Sequence, residues 1–370
     1  FSLYIRRHRT NYYLKAENIL IGIYSMSVAK GRQSIPERDI ELSKHIIQRT
    51  FSFKSDISNS IRSLYDDSLG LICVINLYSE TQDVSLLSLC ENIVEKIHTV
   101  QGFTSIICPD QNPKDDSKPS PIPKEQLLHH ICFWMFALNR LSEITKRYQY
   151  NDYAVSLADI VVERFLRTND TNAINLFDHD NLDANRMKFC FKMNAGFNEP
   201  LIHLEGGLDC VLTLIVLKIV IKTFRKTHFE ESEDAHSVLK LFPLIEKMAM
   251  IRLERFVRLV GTVGLGGIGK VLWLSSWLIH LNYVKPAYNI INYCLPIVRN
   301  YSVSEYICLR NAVGEIHISS GLQSLKSVGF PVHVEILQKF SDLCEDWRLN
   351  LYDCGTSLLP CSYCINRLTG

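Results

Sequence analysis

Acidic residues stand where strongly apolar segments begin, and such residues could carry out acid–base chemistry. Asp66 and Asp67 directly precede SLGLICVINLY, and Glu205 precedes GGLDCVLTLIVLKIV, in which Asp209 is the first charged residue. Acid–base hydrolysis uses two carboxyl groups, one as proton donor and the other as base or nucleophile. We therefore predict Glu205 as the proton donor and Asp67 as the base that activates water. The alternative is that these acids cap helix starts by accepting hydrogen bonds from free backbone N–H groups.

Further polar residues lie near the same segment starts and could hold a substrate. The candidates for substrate binding are Tyr65, Asp66, His129, Asp209, Lys270 and Glu315. His129 and His130 are adjacent, so on a helix their side chains point about 100° apart and cannot form the i, i+4 pair of a zinc site. We therefore expect no metal site and no cofactor, and we expect a small polar compound as ligand.

The glycine-rich segment GLGGIGK, Gly264 to Lys270, has the GxxxxGK spacing of a phosphate-binding loop. It resembles the phosphate loop of plant-type nucleotide-binding resistance proteins. The next residue is Val271, where a Ser or Thr should hold magnesium, and no downstream apolar strand ends in paired acids. Nucleotide binding therefore stays an alternative, and the favoured interpretation is a glycine-rich turn that lets two helices approach closely.

Composition and charge exclude several classes of protein. Hydrophobic residues make up 47% and charged residues 21% of the 370 residues, which is enough apolar material for a large core. The net charge is +1 and the basic residues are scattered, which argues against a nucleic-acid surface. The most apolar run, 208–221, contains Asp209 and Lys218 and is shorter than the ~20 residues that span a bilayer. We expect neither nucleic acid nor a membrane as a partner.

The chain contains 12 cysteines, and several of them, such as Cys73, Cys132 and Cys294, lie in apolar segments where a thiol packs as a small hydrophobe. This usage suits a reducing compartment, so we expect a cytoplasmic location. Residues 354–370 contain a single CxxC and predict a tail with reactive thiols. Phe1 is not a natural start, so we expect further residues before it, and targeting stays open.

A repeated unit runs along most of the chain: a glycine or acidic turn, an apolar segment, a polar turn and an amphipathic segment. In the clearest copy, LGLICVINLY is followed by SETQD and VSLLSLCENIVEKIH, and Asp83 is placed to cap the second helix. Other copies begin at HHICFWMFALNRL, GLDCVLTLIVLKIVIKTF, GKVLWLSSWLIHL and AVGEIHISSGLQSL. The least regular copy comes first, at 17–30 and 36–50. The chain therefore contains six helical hairpins.

The two helices of each hairpin differ in polarity. The first is apolar nearly all round, which requires burial on several sides, whereas the second has one charged face and belongs at the surface. The economical arrangement is all-α: an inner ring of first helices wrapped by an outer ring of second helices, an (α/α)6 toroid. Because the inner helices then run parallel, the turns that precede them open at one end, where we expect the ligand site.

Two segments interrupt the hairpins. Residues 110–123 are rich in Pro, Ser, Asp and Lys and predict a solvated loop. Residues 168–203 form a longer insertion, in which RMKFCFKM alternates and predicts a short β arm. We therefore predict one toroid domain over 1–353, followed by the tail.

The hairpin pattern over about 17–347 resembles the six-hairpin toroid superfamily, which includes many glycoside hydrolases, isomerases and lanthionine-forming cyclases. The segments HHICFWMFALNRLSEITKRYQYNDYAVSLADIVVERF and RMKFCFKMNAGFNEPLIHLEGGLD resemble a little-characterised bacterial branch of these toroids. The resemblance implies a glycosidase-like protein that hydrolyses or binds a carbohydrate at the mouth of the ring. The alternatives are a catalytically inactive binding or scaffold toroid and a nucleotide-binding protein.

Overall fold

A computed structural model describes residues 37, 40–41, 43–44, 64–100, 125–168, 183–194, 196–228, 236–257, 264–301 and 309–348. The α-helices among these residues are α1 (Leu64–Thr81), α2 (Ser85–Val100), α3 (Leu128–Thr145), α4 (Gln149–Ile160), α5 (Asp209–Thr227), α6 (Ser237–Val257), α7 (Leu265–His280), α8 (Val284–Arg299), α9 (Leu309–Ser327) and α10 (Val334–Arg348). A π-helical turn, Val161–Phe165, continues α4.

The helices pair in chain order into five hairpins, α1/α2 to α9/α10, which are the second to sixth hairpins that the sequence predicts. Asp83 caps α2 as predicted, because its Oδ1 accepts hydrogen bonds from the Ser85 backbone N–H at 3.0 Å and from the Ser85 hydroxyl at 2.7 Å. Apart from a few helical residues between 37 and 44, the first predicted hairpin lies outside the described residues. The loop 110–123 and the tail 354–370 also lie outside them.

Five short strands confirm the predicted β arm. They are β1 (Glu125–Leu127), β2 (Leu166–Thr168), β3 (Met187–Phe189), β4 (Lys192–Asn194) and β5 (Pro200–Ile202). β2 pairs with β3, and β4 lies between β1 and β5, all antiparallel. The segment RMKFCFKM thus supplies one strand to each of two small sheets. Because β1 directly precedes α3, its sheet lies next to the start of that helix.

The chain divides into two compact units. The first unit comprises residues 53–78 and 82–254, and the second comprises 1–52, 79–81 and 255–370. The first unit holds the hairpins α1/α2 to α5/α6 and both sheets, and the second holds α7/α8 and α9/α10. A single toroid domain over 1–353 stays a prediction.

In the first unit, the first helices of the hairpins form the core and run parallel. In α3, 14 of 18 residues are buried, and in α5, 14 of 19. The Cys132 sulfur lies 3.5 Å from the Thr213 hydroxyl, and further along both helices the Asn139 amide donates to the Thr223 hydroxyl at 2.8 Å. Because these contacts advance together along α3 and α5, both helices begin at the same end of the unit.

In the second unit, α7 and α9 pack in close parallel contact through glycines. A Cβ atom on Gly269 of α7 would lie 2.6 Å from the backbone carbon of His317, and one on Gly321 of α9 would lie 2.8 Å from the Gly269 carbonyl oxygen. The helix α7 is buried at 12 of 16 residues, whereas its partner α8 is buried at 5 of 16. The predicted difference between apolar first helices and amphipathic second helices is therefore present here.

A buried hydrogen-bond network ties α3 to α4 and α5. The Asn139 amide nitrogen donates to Asn151 Oδ1 and to Thr223 Oγ1, both at 2.8 Å, and the Asn151 amide donates to the Val220 carbonyl at 3.2 Å. Asn139, Asn151 and Thr223 are all almost completely buried. Removal of Asn139 therefore leaves the buried Asn151 Oδ1 without the amide that donates to it.

We expect Asn139→Ala to lower the free energy of unfolding by about 2 kcal/mol, because it strands buried polar groups and leaves a cavity. Urea denaturation followed by circular dichroism measures this change. Asn185→Ala is the matched control, since the Asn185 side chain is exposed and its amide donates to the nearby Asp183 at 3.2 Å. Equal small losses for both variants would contradict a stabilising role for the network.

Candidate functional site

An aromatic cluster joins the starts of α1 and α3. Tyr65, the second residue of α1, stacks on the His130 ring with 5.2 Å between ring centroids, and lies edge-on to His129 at 6.2 Å and to Phe133 at 5.7 Å. The rings of His129 and His130 meet edge to face at 4.4 Å. The structure thus brings together two predicted substrate-binding residues, Tyr65 and His129, that are distant in sequence.

The β arm covers one side of this cluster. The Phe191 ring lies 5.4 Å from the His129 ring, and the Phe191 carbonyl accepts a hydrogen bond from the Leu128 N–H at 3.1 Å. The Phe191 N–H in turn donates to the Leu204 carbonyl at 2.9 Å. The segment that leads to Glu205 is thereby fixed beside the start of α3.

The aspartates at the helix starts are buried in the first unit. Asp67, the fourth residue of α1, is 6% exposed, and Asp209, the first residue of α5, is 3% exposed. The Asp209 carboxylate lies so close to Gly206 that a Cβ atom there would be 2.2 Å from its oxygen. A side chain at position 206 would therefore have to displace the Asp209 carboxylate. Asp66 occupies the third position of α1.

Glu205 forms an ion pair that sequence reasoning missed. Its Oε2 accepts from Arg252 Nε at 2.7 Å, and its Oε1 accepts from the Phe189 backbone N–H at 3.0 Å. Arg252 also donates to the Met187 carbonyl. The carboxylate therefore joins β3 to α6, which gives Glu205 a structural role that competes with the predicted role of proton donor. It caps no helix.

The remaining predicted residues lie in the second unit. Lys270 on α7 is 7% exposed, and Glu315 on α9 is 2% exposed and accepts a hydrogen bond from the Tyr301 hydroxyl at 2.8 Å. His317, also on α9, is completely buried. Gly269 faces the backbone of His317, which allows the two helices to approach.

The glycine-rich segment is helix and not loop. Gly264 precedes α7, and the N–H groups of Gly267 and Ile268 donate to the Gly264 carbonyl at 2.9 and 3.1 Å. A phosphate-binding loop needs successive N–H groups that point at the phosphate. Here the same residues form the first turn of a helix instead of such a loop. The contacts of Gly269 agree with the favoured interpretation, in which glycines let two helices approach closely. The segment was expected to be a turn, whereas the structure shows it as helix from Leu265 onwards.

Three histidines are held neutral by burial. Desolvation lowers the pKa of His98 to about 4 and the pKa of His130 to about 3. The pKa of His317 falls to about 3 through burial and the nearby positive charge of Lys270. In the unfolded chain these side chains take up a proton near pH 6.5. Their contribution to stability is therefore complete above pH ~6.5 and is lost as the pH falls towards 4 and 3.

We expect the free energy of unfolding to fall by about 2 kcal/mol between pH 7.5 and pH 6.0, since each histidine contributes slightly less than ~1 kcal/mol. Denaturant titrations at the two pH values measure this fall. Burial raises the pKa of Asp152 and Asp159, and these two shifts act in the opposite direction, since they favour the folded state as the pH falls. The triple change of His98, His130 and His317 to Phe should flatten the pH dependence, and an unchanged slope would contradict this origin.

Two of the aromatic side chains at predicted inner segments belong to the core. Trp134 is completely buried and donates from Nε1 to His98 Nε2 at 3.2 Å, and Trp273 is 1% exposed. Across the described ranges, no group of three or more His, Cys, Asp or Glu side chains is arranged to hold a metal ion. In the same ranges no helix combines the length and apolar character that crossing a bilayer requires.

No family model matches the chain, and no curated protein sequence matches it. Among solved structures, it is similar to the GH76A alpha-1,6-mannanase from Salegentibacter sp. HEL1_6, with a TM-score of 0.51. The match has 10% sequence identity and covers 90% of this chain and 98% of the mannanase chain, which is itself an (α/α)6 toroid. The chain has the (α/α)6 toroid fold.

A second structure of the same mannanase matches the toroid equally well, with a TM-score of 0.51 and 10% identity. That protein is an inactive variant, in which two consecutive aspartates are changed to asparagine, in complex with alpha-1,6-mannotriose. An identity of 10% shows a shared fold and assigns no activity. The predicted fold class is therefore confirmed, and the site residues of this toroid stay predictions.

Proposed function

We propose that this toroid binds and hydrolyses a carbohydrate at the end of the first unit where α1, α3 and α5 begin, with Asp67 as the base that activates water. The observation that carries the proposal is the position of Asp67 in the first turns of α1, two residues after Tyr65, which packs on the histidines of α3. Asp209 and His129 begin the neighbouring helices of the same unit. The site thus combines carboxylates with aromatic rings, and small-molecule sites typically combine apolar walls with a few polar groups in this way.

The second carboxyl group of the proposed pair is Asp66. Glu205, which the sequence favours as proton donor, already accepts hydrogen bonds with both oxygens, from Arg252 and from Phe189. A proton donor must be free to protonate the leaving oxygen of the sugar. Support for two adjacent acids comes from the similar mannanase, of which the variant changed at two consecutive aspartates is inactive.

Hydrolysis needs one proton donated and one removed. The acid protonates the glycosidic oxygen as its bond to the anomeric carbon breaks, and the base removes a proton from the water that attacks that carbon. Water supplies both the new hydroxyl group and the proton that balances the reaction. No cofactor enters these steps.

The test uses the purified chain with alpha-1,6-mannotriose and an alpha-1,6-linked mannan, because these suit the similar mannanase. Calorimetry measures binding, and release of reducing ends measures hydrolysis. We expect both signals, with a linear panel of gluco- and galacto-oligosaccharides as the specificity control. A chain that neither binds nor cleaves the two mannosides or any oligosaccharide of the control panel contradicts the proposal.

One observation favours the second candidate function, a binding toroid without activity. Tyr65, Asp67, His129 and Asp209 are each less than 10% exposed, and Phe191 of the β arm packs on His129. A covered site of this kind binds a ligand only after local rearrangement. Binding of an oligosaccharide without any release of reducing ends would select this candidate over the hydrolase.

A further inference from the structure

His130 is a buried histidine with an unused hydrogen-bonding atom. Its side chain is 8% exposed, and its Nε2 has no hydrogen-bond partner among the residues that the structure describes. A buried polar atom without a partner costs free energy in the folded state, and buried polar atoms in proteins are therefore nearly always paired. Such an exception calls for a physical reason.

The position of the His130 ring is fixed by its neighbours. Tyr65 stacks on it at a centroid distance of 5.2 Å and an interplanar angle of 29°, and His129 meets it edge to face at 4.4 Å. A ring held on two sides keeps its nitrogen in one place without a hydrogen bond. Once local rearrangement uncovers the site, the fixed ring can meet a ligand with little further loss of its own side-chain entropy.

The chemistry of the ring limits what it can recognise. Burial lowers the pKa of His130 to about 3, so the imidazole is neutral at physiological pH. In a neutral imidazole, one nitrogen donates a hydrogen bond and the other accepts one, and the tautomer adapts to the partner. A hydroxyl group can play either part, whereas a cation offers only donors and a carboxylate only acceptors. A neutral ligand rich in hydroxyl groups is therefore the best match.

We propose that His130 is a substrate-binding residue, whose Nε2 forms a hydrogen bond with a hydroxyl group of a sugar at the start of α3. The inference rests on the proposed function, since it assigns a sugar contact to the same end of the first unit. It adds a residue that is not among the substrate-binding residues predicted from the sequence. The free energy that the orphaned atom costs in the free protein is recovered when the ligand binds.

The effects of His130→Phe on stability and on affinity distinguish a ligand contact of His130 from a structural role. The substitution keeps an aromatic ring against Tyr65 and removes the buried polar atom. We expect the melting temperature to stay level or rise, because loss of an unsatisfied polar group is neutral or stabilising. We expect the affinity for alpha-1,6-mannotriose, measured by calorimetry, to fall about tenfold, since one neutral hydrogen bond is lost. His130→Gln keeps a donor and an acceptor and should recover part of that loss.

His98→Phe is the matched control. His98 is equally a buried neutral imidazole of the first unit, but it accepts a hydrogen bond from Trp134 Nε1 at 3.2 Å. Its replacement should lower the melting temperature and leave the affinity unchanged. We thus expect His130→Phe to lose affinity and keep its melting temperature, and His98→Phe to keep its affinity and lose melting temperature.

The outcomes distinguish this inference from the proposed function. If the unaltered chain binds the trisaccharide and His130→Phe binds it equally well, the inference is overturned and the proposed function stands. A melting temperature that falls as far in His130→Phe as in His98→Phe also overturns it, because Nε2 then has a structural partner. If the unaltered chain binds no oligosaccharide, the proposed function fails and the inference falls with it.

Discussion

Asp67→Asn should reduce the rate of carbohydrate hydrolysis by ~10²–10⁴-fold, because an amide cannot remove a proton from the attacking water. The substitution nearly preserves the volume of a side chain that is 6% exposed, so the packing around the start of α1 should change little. Binding should therefore survive the loss of hydrolysis. Initial rates of reducing-end release, with calorimetry on the same samples, measure the two effects separately.

Asp83→Asn is the matched control for this variant. Asp83 is an exposed aspartate of the same unit that caps α2 through its contact with Ser85 at 3.0 Å. Its replacement should leave hydrolysis unchanged. If Asp67→Asn retains full activity while it stays folded, the base is another residue. Asp66→Asn then shows whether the neighbouring carboxyl group carries the chemistry.

The second large effect concerns the contact between α7 and α9. Gly269→Val should lower the free energy of unfolding by about 3 kcal/mol or more, because overpacking a rigid interior forces backbone shifts. The new Cβ atom would lie 2.6 Å from the carbonyl carbon of His317 and 2.7 Å from the backbone nitrogen of Ile318. Backbone atoms cannot turn aside as the end of a flexible side chain can.

Gly196→Val tests whether the effect comes from close contact and not from the loss of a glycine. The atoms nearest to a Cβ atom at Gly196 would be those of the Asn198 side chain, at 3.7 Å or more, which is an ordinary contact distance. We expect its unfolding free energy to change by less than ~0.5 kcal/mol. Chemical denaturation of both variants gives the comparison. A loss for Gly269→Val as small as that for Gly196→Val would show that α7 and α9 can move apart at little cost.

The hairpins could be predicted from the sequence because their signals are local. Apolar residues at three- and four-residue spacing lie within a single helix, and a cap such as Asp83 precedes its helix by two residues. The same holds for the alternation in RMKFCFKM, which supplies β3 and β4. The helical state of the glycine-rich segment is harder to predict from the sequence, since glycine disfavours a helix locally. There the tertiary contact of Gly269 with α9 outweighs the local preference.

The candidate site could be predicted only in part, because its contacts join residues that are far apart in the chain. The ion pair of Glu205 with Arg252 spans 47 residues, and nothing near either residue indicates it. Tyr65 and His130 are 65 residues apart, and only the packing of α1 against α3 brings their rings together. The sequence does place acids and histidines at helix starts, but their partners depend on the tertiary structure.

The common end at which α1, α3 and α5 begin has an electrostatic consequence. The peptide dipoles of a helix add up to about half a positive charge at its first turn. Three first turns therefore converge where Asp67 and Asp209 are buried, near the rings of Tyr65 and His130. The backbone itself supplies a positive potential that stabilises these carboxylates and disfavours a cationic ligand. Because this potential belongs to peptide groups, no side-chain substitution can remove it while the helices remain folded.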